Sequence, residues 1–116
     1  MDQIIIYHNP ACSKSREALN LLKEGGVEPD VIPYLETPPG RRKIKRILDL
    51  LGMEPRDLMR KKEEAYRSLE VEGKQRSREE LIQLMVENPI LIERPIVVHG
   101  DRAAIGRPPE NVLKVV

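Results

Sequence analysis

Apolar positions recur along this chain with two periods, and the places where the period changes mark out its elements. Ile4-Ile5-Ile6 is a β-branched run, so Gln3 to Tyr7 is predicted as a buried strand. Ser13 to Lys23 carries Ala18, Leu19 and Leu22 on one helical face and meets its stop at Gly25-Gly26. A second strand is expected over Asp30 to Leu35; Pro33 donates no hydrogen bond and restricts it to a sheet edge or a bulge. This βαβ start implies a right-handed parallel pair.

Glu36-Thr37-Pro38-Pro39-Gly40 breaks the pattern without ending the domain. Ile44, Ile47, Leu48 and Leu51 follow at i, i+3, i+4 and i+7, an amphipathic helix closed by Gly52. Pro55 opens a short helix through Leu58 and Met59, and the charge-dense stretch from Lys61 to Lys74 is read as short helical turns over the surface. Ser77 and Glu80 form a capping box ahead of a helix bearing Leu81, Ile82, Leu84 and Met85, which Asn88-Pro89 ends. Pro95 to Val98 and Ala103 to Ile105 are strand-like and joined by His99-Gly100-Asp101-Arg102, a β-hairpin. A last helix starts at Pro108-Pro109-Glu110 and carries Val112 and Leu113. The order is βαβ, a helical middle, then ββα. The fold class is α/β (α+β), a single domain over residues 1–116 with a mixed sheet and an all-helical insertion at residues 40–88.

Composition narrows what such a domain does. With no Phe or Trp and 3 Tyr in 116 residues, the core is aliphatic, and the aromatic platforms used to stack single-stranded bases are missing. Lys and Arg number 20 against 19 acidic residues, a net charge of +1, so no global field attracts nucleic acid or an anionic membrane. No apolar run reaches transmembrane length, and Met1-Asp2-Gln3 lacks the basic start of a signal peptide; the expected location is cytoplasmic. The single cysteine excludes an internal disulfide and a structural zinc site, and no metal is expected.

That cysteine, Cys12, lies in Tyr7-His8-Asn9-Pro10-Ala11-Cys12-Ser13-Lys14-Ser15-Arg16, where the first strand hands over to the first helix. Unpaired amides and the positive end of the helix dipole favour the thiolate, which is the attacking form. Lys14 and Arg16 add positive charge. A cysteine that merely packs is the alternative, but His, Asn, Ser, Lys and Arg make a poor apolar site for it.

With these elements in place, the chain resembles the glutaredoxin-coupled arsenate reductase family, of thioredoxin-like fold. The resemblance spans essentially the whole length. It rests on Tyr7 to Cys12, Tyr34-Leu35-Glu36-Thr37-Pro38-Pro39, Leu58-Met59-Arg60-Lys61, the run from Asn88 to Val98, and Gly106-Arg107-Pro108. It implies that Cys12 is the nucleophile, that Arg60, Arg94 and Arg107 hold the oxyanion, and that His8 helps keep the cysteine ionised, as a nearby cation or a hydrogen-bond donor. Read without the resemblance, His8 is a satisfied structural histidine and Arg60 is equally well a solvated surface charge. It also implies a cis-proline at Pro95 facing the thiol.

Planar guanidinium groups grip tetrahedral oxyanions in bidentate fashion and stay charged at working pH, which suits three arginines to that task. Arg94 and Arg107 each precede a proline at a predicted element start, whereas Arg16, Arg41, Arg42 and Arg46 read as surface or helix-face charges and His99 as an exposed turn residue. Cys12-Ser13-Lys14-Ser15 is a Cys-x-x-Ser arrangement: the Ser15 hydroxyl is placed to donate to the sulfur but cannot resolve a disulfide. The second thiol must come from outside. Glutathione as co-substrate, with glutaredoxin as partner, follows, and no bound cofactor is called for. The expected activity is reduction of arsenate or a similar oxyanion by a monomer. The alternatives are a glutathione-linked thiol oxidoreductase with another substrate and a non-catalytic regulator binding RNA polymerase. Relatives of the latter kind usually present Cys-x-x-Cys and lack the arginine set.

Overall fold

A computed structural model describes residues 3–73 and 75–116. The chain forms two compact units, Met1–Thr37 with Arg94–Val116, and Pro38–Glu93.

The first unit is built on a four-stranded mixed sheet of order β2-β1-β3-β4, from β1 (Ile4–His8), β2 (Asp30–Pro33), β3 (Ile96–His99) and β4 (Arg102–Ile105). β1 runs parallel to β2 and antiparallel to β3, and β3 pairs antiparallel with β4. Helix α1 (Ser13–Glu24) makes the parallel crossover, and β2 is the edge strand that Pro33 requires. The β3–β4 turn has two residues, with Gly100 at φ 61°, a left-handed conformation that glycine adopts freely at the first position of a hairpin turn.

Side-chain alternation sorts the sheet. Ile6 stands opposite Val97, and Val97 opposite Ala104, so these share a face. Ala18 and Leu22 of α1, with Val112 and Val115, close over it as one aliphatic cluster. Ile6, Leu22, Val97 and Val112 are wholly buried, each worth roughly 1.5–3 kcal/mol relative to exposure. The last helix is wound as a 3-10 helix, Pro109–Val115, rather than an α-helix; Asn111 N–H reaches back only three residues to the Pro108 carbonyl. His99 is no exposed turn residue: it ends β3, half-buried, with Nδ1 2.6 Å from the Val115 carbonyl.

The second unit is helical. Helix α2 (Arg41–Leu51) buries Ile44, Ile47 and Leu48 and ends at Gly52, whose φ of 67° suits a C-cap. It packs with α4 (Arg78–Glu87), which buries Leu81, Ile82 and Met85. The expected capping box is present: Ser77 Oγ accepts from Glu80 N–H at 3.1 Å, and the Glu80 carboxylate accepts from Ser77 N–H at 3.2 Å. Pro55–Leu58 is a 3-10 turn with a second capping box, Glu54 with Asp57. Between them lies α3 (Glu64–Ser68). The segment from Lys61 is more than a surface run, because Tyr66 and Val71 are core residues; Lys74 falls outside the described residues. Among the described residues, no helix is long and apolar enough to cross a membrane.

Candidate active site

Cys12 is the N-cap of α1, with extended backbone angles (φ −97°, ψ 124°), and is half-buried. The thiol therefore stands at the end of the helix where the first-turn amides lack intrahelical acceptors. The strand-to-helix turn places it there. Cys12 N–H donates to the Asn9 carbonyl at 3.0 Å, closing a four-residue turn with Pro10 at its second position. Arg16 Nη1 donates to the Pro10 carbonyl at 2.8 Å, so this expected surface charge clamps the turn from outside.

Arg107 reaches the sulfur. Its Nη2 lies 3.8 Å from Cys12 Sγ, while its Nε donates to the Arg94 carbonyl at 2.9 Å. Arg94 is buried, 8% exposed, and its Nε and Nη1 are buried with no hydrogen-bond partner among the described residues. Buried guanidinium donors are almost always paired, so these two are exceptional and suited chemically to an anion. The peptide bonds Arg94–Pro95 and Arg107–Pro108 are both cis, the first as the resemblance implies. Pro95 also sits against Gly106: its carbonyl accepts from Gly106 N–H at 2.9 Å, and a Cβ on Gly106 would meet Pro95 Cγ at 2.6 Å. Only glycine lets Arg107 follow so closely on the Pro95 segment.

Ser15 departs from expectation, and His8 follows the structural one of its two readings. Ser15 is wholly buried, and its Oγ accepts from Asn9 N–H at 3.0 Å and lies 2.6 Å from His8 Nδ1. Its hydrogen bonds run to His8 and Asn9 rather than to the sulfur. The cause is phase. Ser15 shares the buried face of α1 with Ala18 and Leu22, and His8 continues the Ile4 and Ile6 face of β1 toward that helix. Burial, and then the nearby positive charges of Arg16 and Lys23, lower the His8 pKa below the usual 6.5. At neutral pH His8 is therefore an uncharged hydrogen-bonding partner of Ser15, not a cation.

Arg60 belongs to the second unit. Its guanidinium pairs with Glu63 and lies 4.0 Å from Glu93, and its main-chain N–H donates to the Leu91 carbonyl at 2.6 Å beside the Met59–Ile92 bridge. The first unit thus brings Cys12 and Arg107 into contact, ties Arg94 and Pro95 to Arg107, and sets His8 and Ser15 beneath the turn. Sequence reasoning gives Asn9 and Gly106 no roles. The Asn9-Pro10 dipeptide is the turn signal available for the first, and nothing short of the fold signals the second.

A family model described as the ArsC family matches residues 7–115. The chain is 57% identical over 115 residues to the uncharacterized protein YfgD of Escherichia coli K12, covering 98% of this chain and 97% of that protein. It is 46% identical to an arsenate reductase of Haemophilus influenzae over 97% of this chain and 98% of the relative. The solved structure of an arsenate reductase from Vibrio cholerae superposes with a TM-score of 0.95 at 50% identity, over 99% of this chain and 98% of that one.

Proposed function

The chain belongs to the ArsC family, of thioredoxin-like fold, and on that premise we propose that it reduces arsenate to arsenite at Cys12, with glutathione and glutaredoxin supplying the electrons. The observation that carries this reading is the buried Arg94 guanidinium, with two donors that have no partner among the described residues, on the segment whose carbonyl anchors Arg107 at 3.8 Å from the Cys12 sulfur. A nucleophile beside one guanidinium and close to the segment of a second, buried one suits an oxyanion substrate. Relatives named arsenate reductases, similar over nearly the full chain, support arsenate as that oxyanion.

In the first step the Cys12 sulfur attacks arsenic, an S–As(V) bond forms, and an arsenate oxygen leaves as water. Arg94 and Arg107 neutralise the oxyanion so that thiolate and anion do not repel each other. A glutathione thiolate then attacks the Cys12 sulfur. The S–As bond breaks with its electron pair going to arsenic, which leaves as arsenite after gaining a proton, and Cys12 remains as a mixed disulfide with glutathione. Glutaredoxin takes up the glutathionyl group by thiol–disulfide exchange and restores the Cys12 thiol. External thiols are needed because Cys12 is the only cysteine in the chain. A cytoplasmic location, where reduced glutathione is abundant, belongs to the same proposal.

The test is NADPH consumption in a system coupled through glutathione reductase, glutathione and glutaredoxin. Consumption that depends on arsenate and is abolished by Cys12→Ser is the expected result. Arsenate-independent consumption, or none in the wild type, overturns the reading.

A further inference from the structure

Asn9 lies three residues before the nucleophile, is 8% exposed, and uses three polar groups on the segment that carries Cys12. Its side-chain Oδ1 accepts from Ala11 N–H at 3.0 Å, an Asx turn. Its carbonyl accepts from Cys12 N–H, and its own N–H donates to Ser15 Oγ, both at 3.0 Å. The Asx turn is nested inside the four-residue turn, and the Ser15 bond ties the whole to the buried face of α1. Pro10 has no N–H to offer and a fixed φ, so the Asn9 carboxamide is the side chain that satisfies an amide inside the turn.

We propose that Asn9 is a positioning residue for Cys12: its side-chain bond to Ala11 N–H holds the turn that seats the sulfur at the end of α1 and within reach of Arg107. This rests on the reading of Cys12 as the nucleophile. The backbone bonds of residue 9 survive truncation of its side chain; only the Asx turn is lost. Without it the turn gains freedom at Ala11, and the sulfur spends less time in the seated geometry beside Arg107. The loss of one such hydrogen bond corresponds to about a three- to tenfold change in a rate that depends on the seated geometry.

The experiment is alkylation of Cys12 by iodoacetamide at neutral pH, well below the unfolding temperature, for the wild type, Asn9→Ala and Asn9→Ser. Ala slowing the reaction about three- to tenfold, and Ser, which keeps an acceptor, recovering most of that rate, is the expected pattern. A purely structural role would lower the melting temperature and leave the native-state rate unchanged or faster; that result overturns the proposal, as does Ser reacting like Ala. Should Asn9→Ala fail to fold, Asn9→Thr and Asn9→Val, nearly isosteric and differing in the acceptor, replace it: Thr reacting faster than Val supports the proposal, and equal rates overturn it. Arsenate plays no part in this readout. A wild type that fails to turn over arsenate counts against the proposed function, while the alkylation series still decides the role of Asn9.

Discussion

Arg107 and Cys12, 95 positions apart in sequence, meet with Nη2 3.8 Å from Sγ. The contact is not a surface accident, because Arg107 is anchored at its other end by the bond from Nε to the Arg94 carbonyl. One planar group thus spans from the Cys12 sulfur to the segment bearing Arg94. Arg107→Ala is expected to lower kcat/KM for arsenate about 10- to 100-fold, the range of a lost hydrogen bond to a charged group. Arg107→Lys should recover little of it, since a lysine cannot hold the carbonyl and face the sulfur together. Steady-state kinetics in the coupled assay decide the point, and full activity in the lysine variant would remove the bidentate role.

Arg94 is expected to behave in the opposite way to an ordinary buried ion-pair residue. Its Nε and Nη1 are buried without partners among the described residues, so the protein carries a desolvation cost that, on the proposed function, a bound anion would offset. Sulfate or arsenate is expected to protect Cys12 of the wild type against alkylation; Arg94→Met should leave the melting temperature unchanged or raised and should abolish that protection. Paired thermal melts and alkylation rates test this. A large loss of stability in Arg94→Met would show that the guanidinium serves the fold instead.

His8 makes stability depend on pH with a definite sign. Its folded pKa is lowered, so between that value and about 6.5 the unfolded chain binds the proton better than the folded one. The stability associated with neutral, buried His8 is therefore complete above about pH 6.5 and is lost as the pH falls toward the folded value. Urea unfolding of the wild type and His8→Gln at a series of pH values should show a smaller decline on acidification in the variant. Equal slopes would contradict the burial cause.

Much of this architecture is legible in the residues. The β-branched run at Ile4-Ile5-Ile6, the Ile44-Ile47-Leu48 spacing and the Ser77–Glu80 box each announce an element that forms where expected, because local propensity and burial agree there. The position of Cys12 at a strand-to-helix junction is legible for the same reason. What stays hidden depends on tertiary neighbours. Tyr66 and Val71 sit in a charge-dense stretch whose polar residues mask two buried anchors. The need for glycine at 106 appears only when Pro95 is seen 2.6 Å from where a Cβ would stand. Ser15 looks available to the sulfur because Cys-x-x-Ser invites that reading. The phase of Ser15 with Ala18 and Leu22, and of His8 with Ile4 and Ile6, nonetheless points the two toward each other.

Reduction of arsenate through a Cys12 adduct resolved by glutathione can be followed in a single turnover without glutaredoxin. The protein, arsenate and glutathione are mixed, quenched with acid, and read by mass spectrometry of the chain and by arsenite release. The expected result is one arsenite per chain together with one glutathionyl group in disulfide linkage at Cys12, neither appearing when arsenate is omitted. Arsenite formed with Cys12 unmodified, or glutathionylation at the same rate without arsenate, would contradict the mechanism.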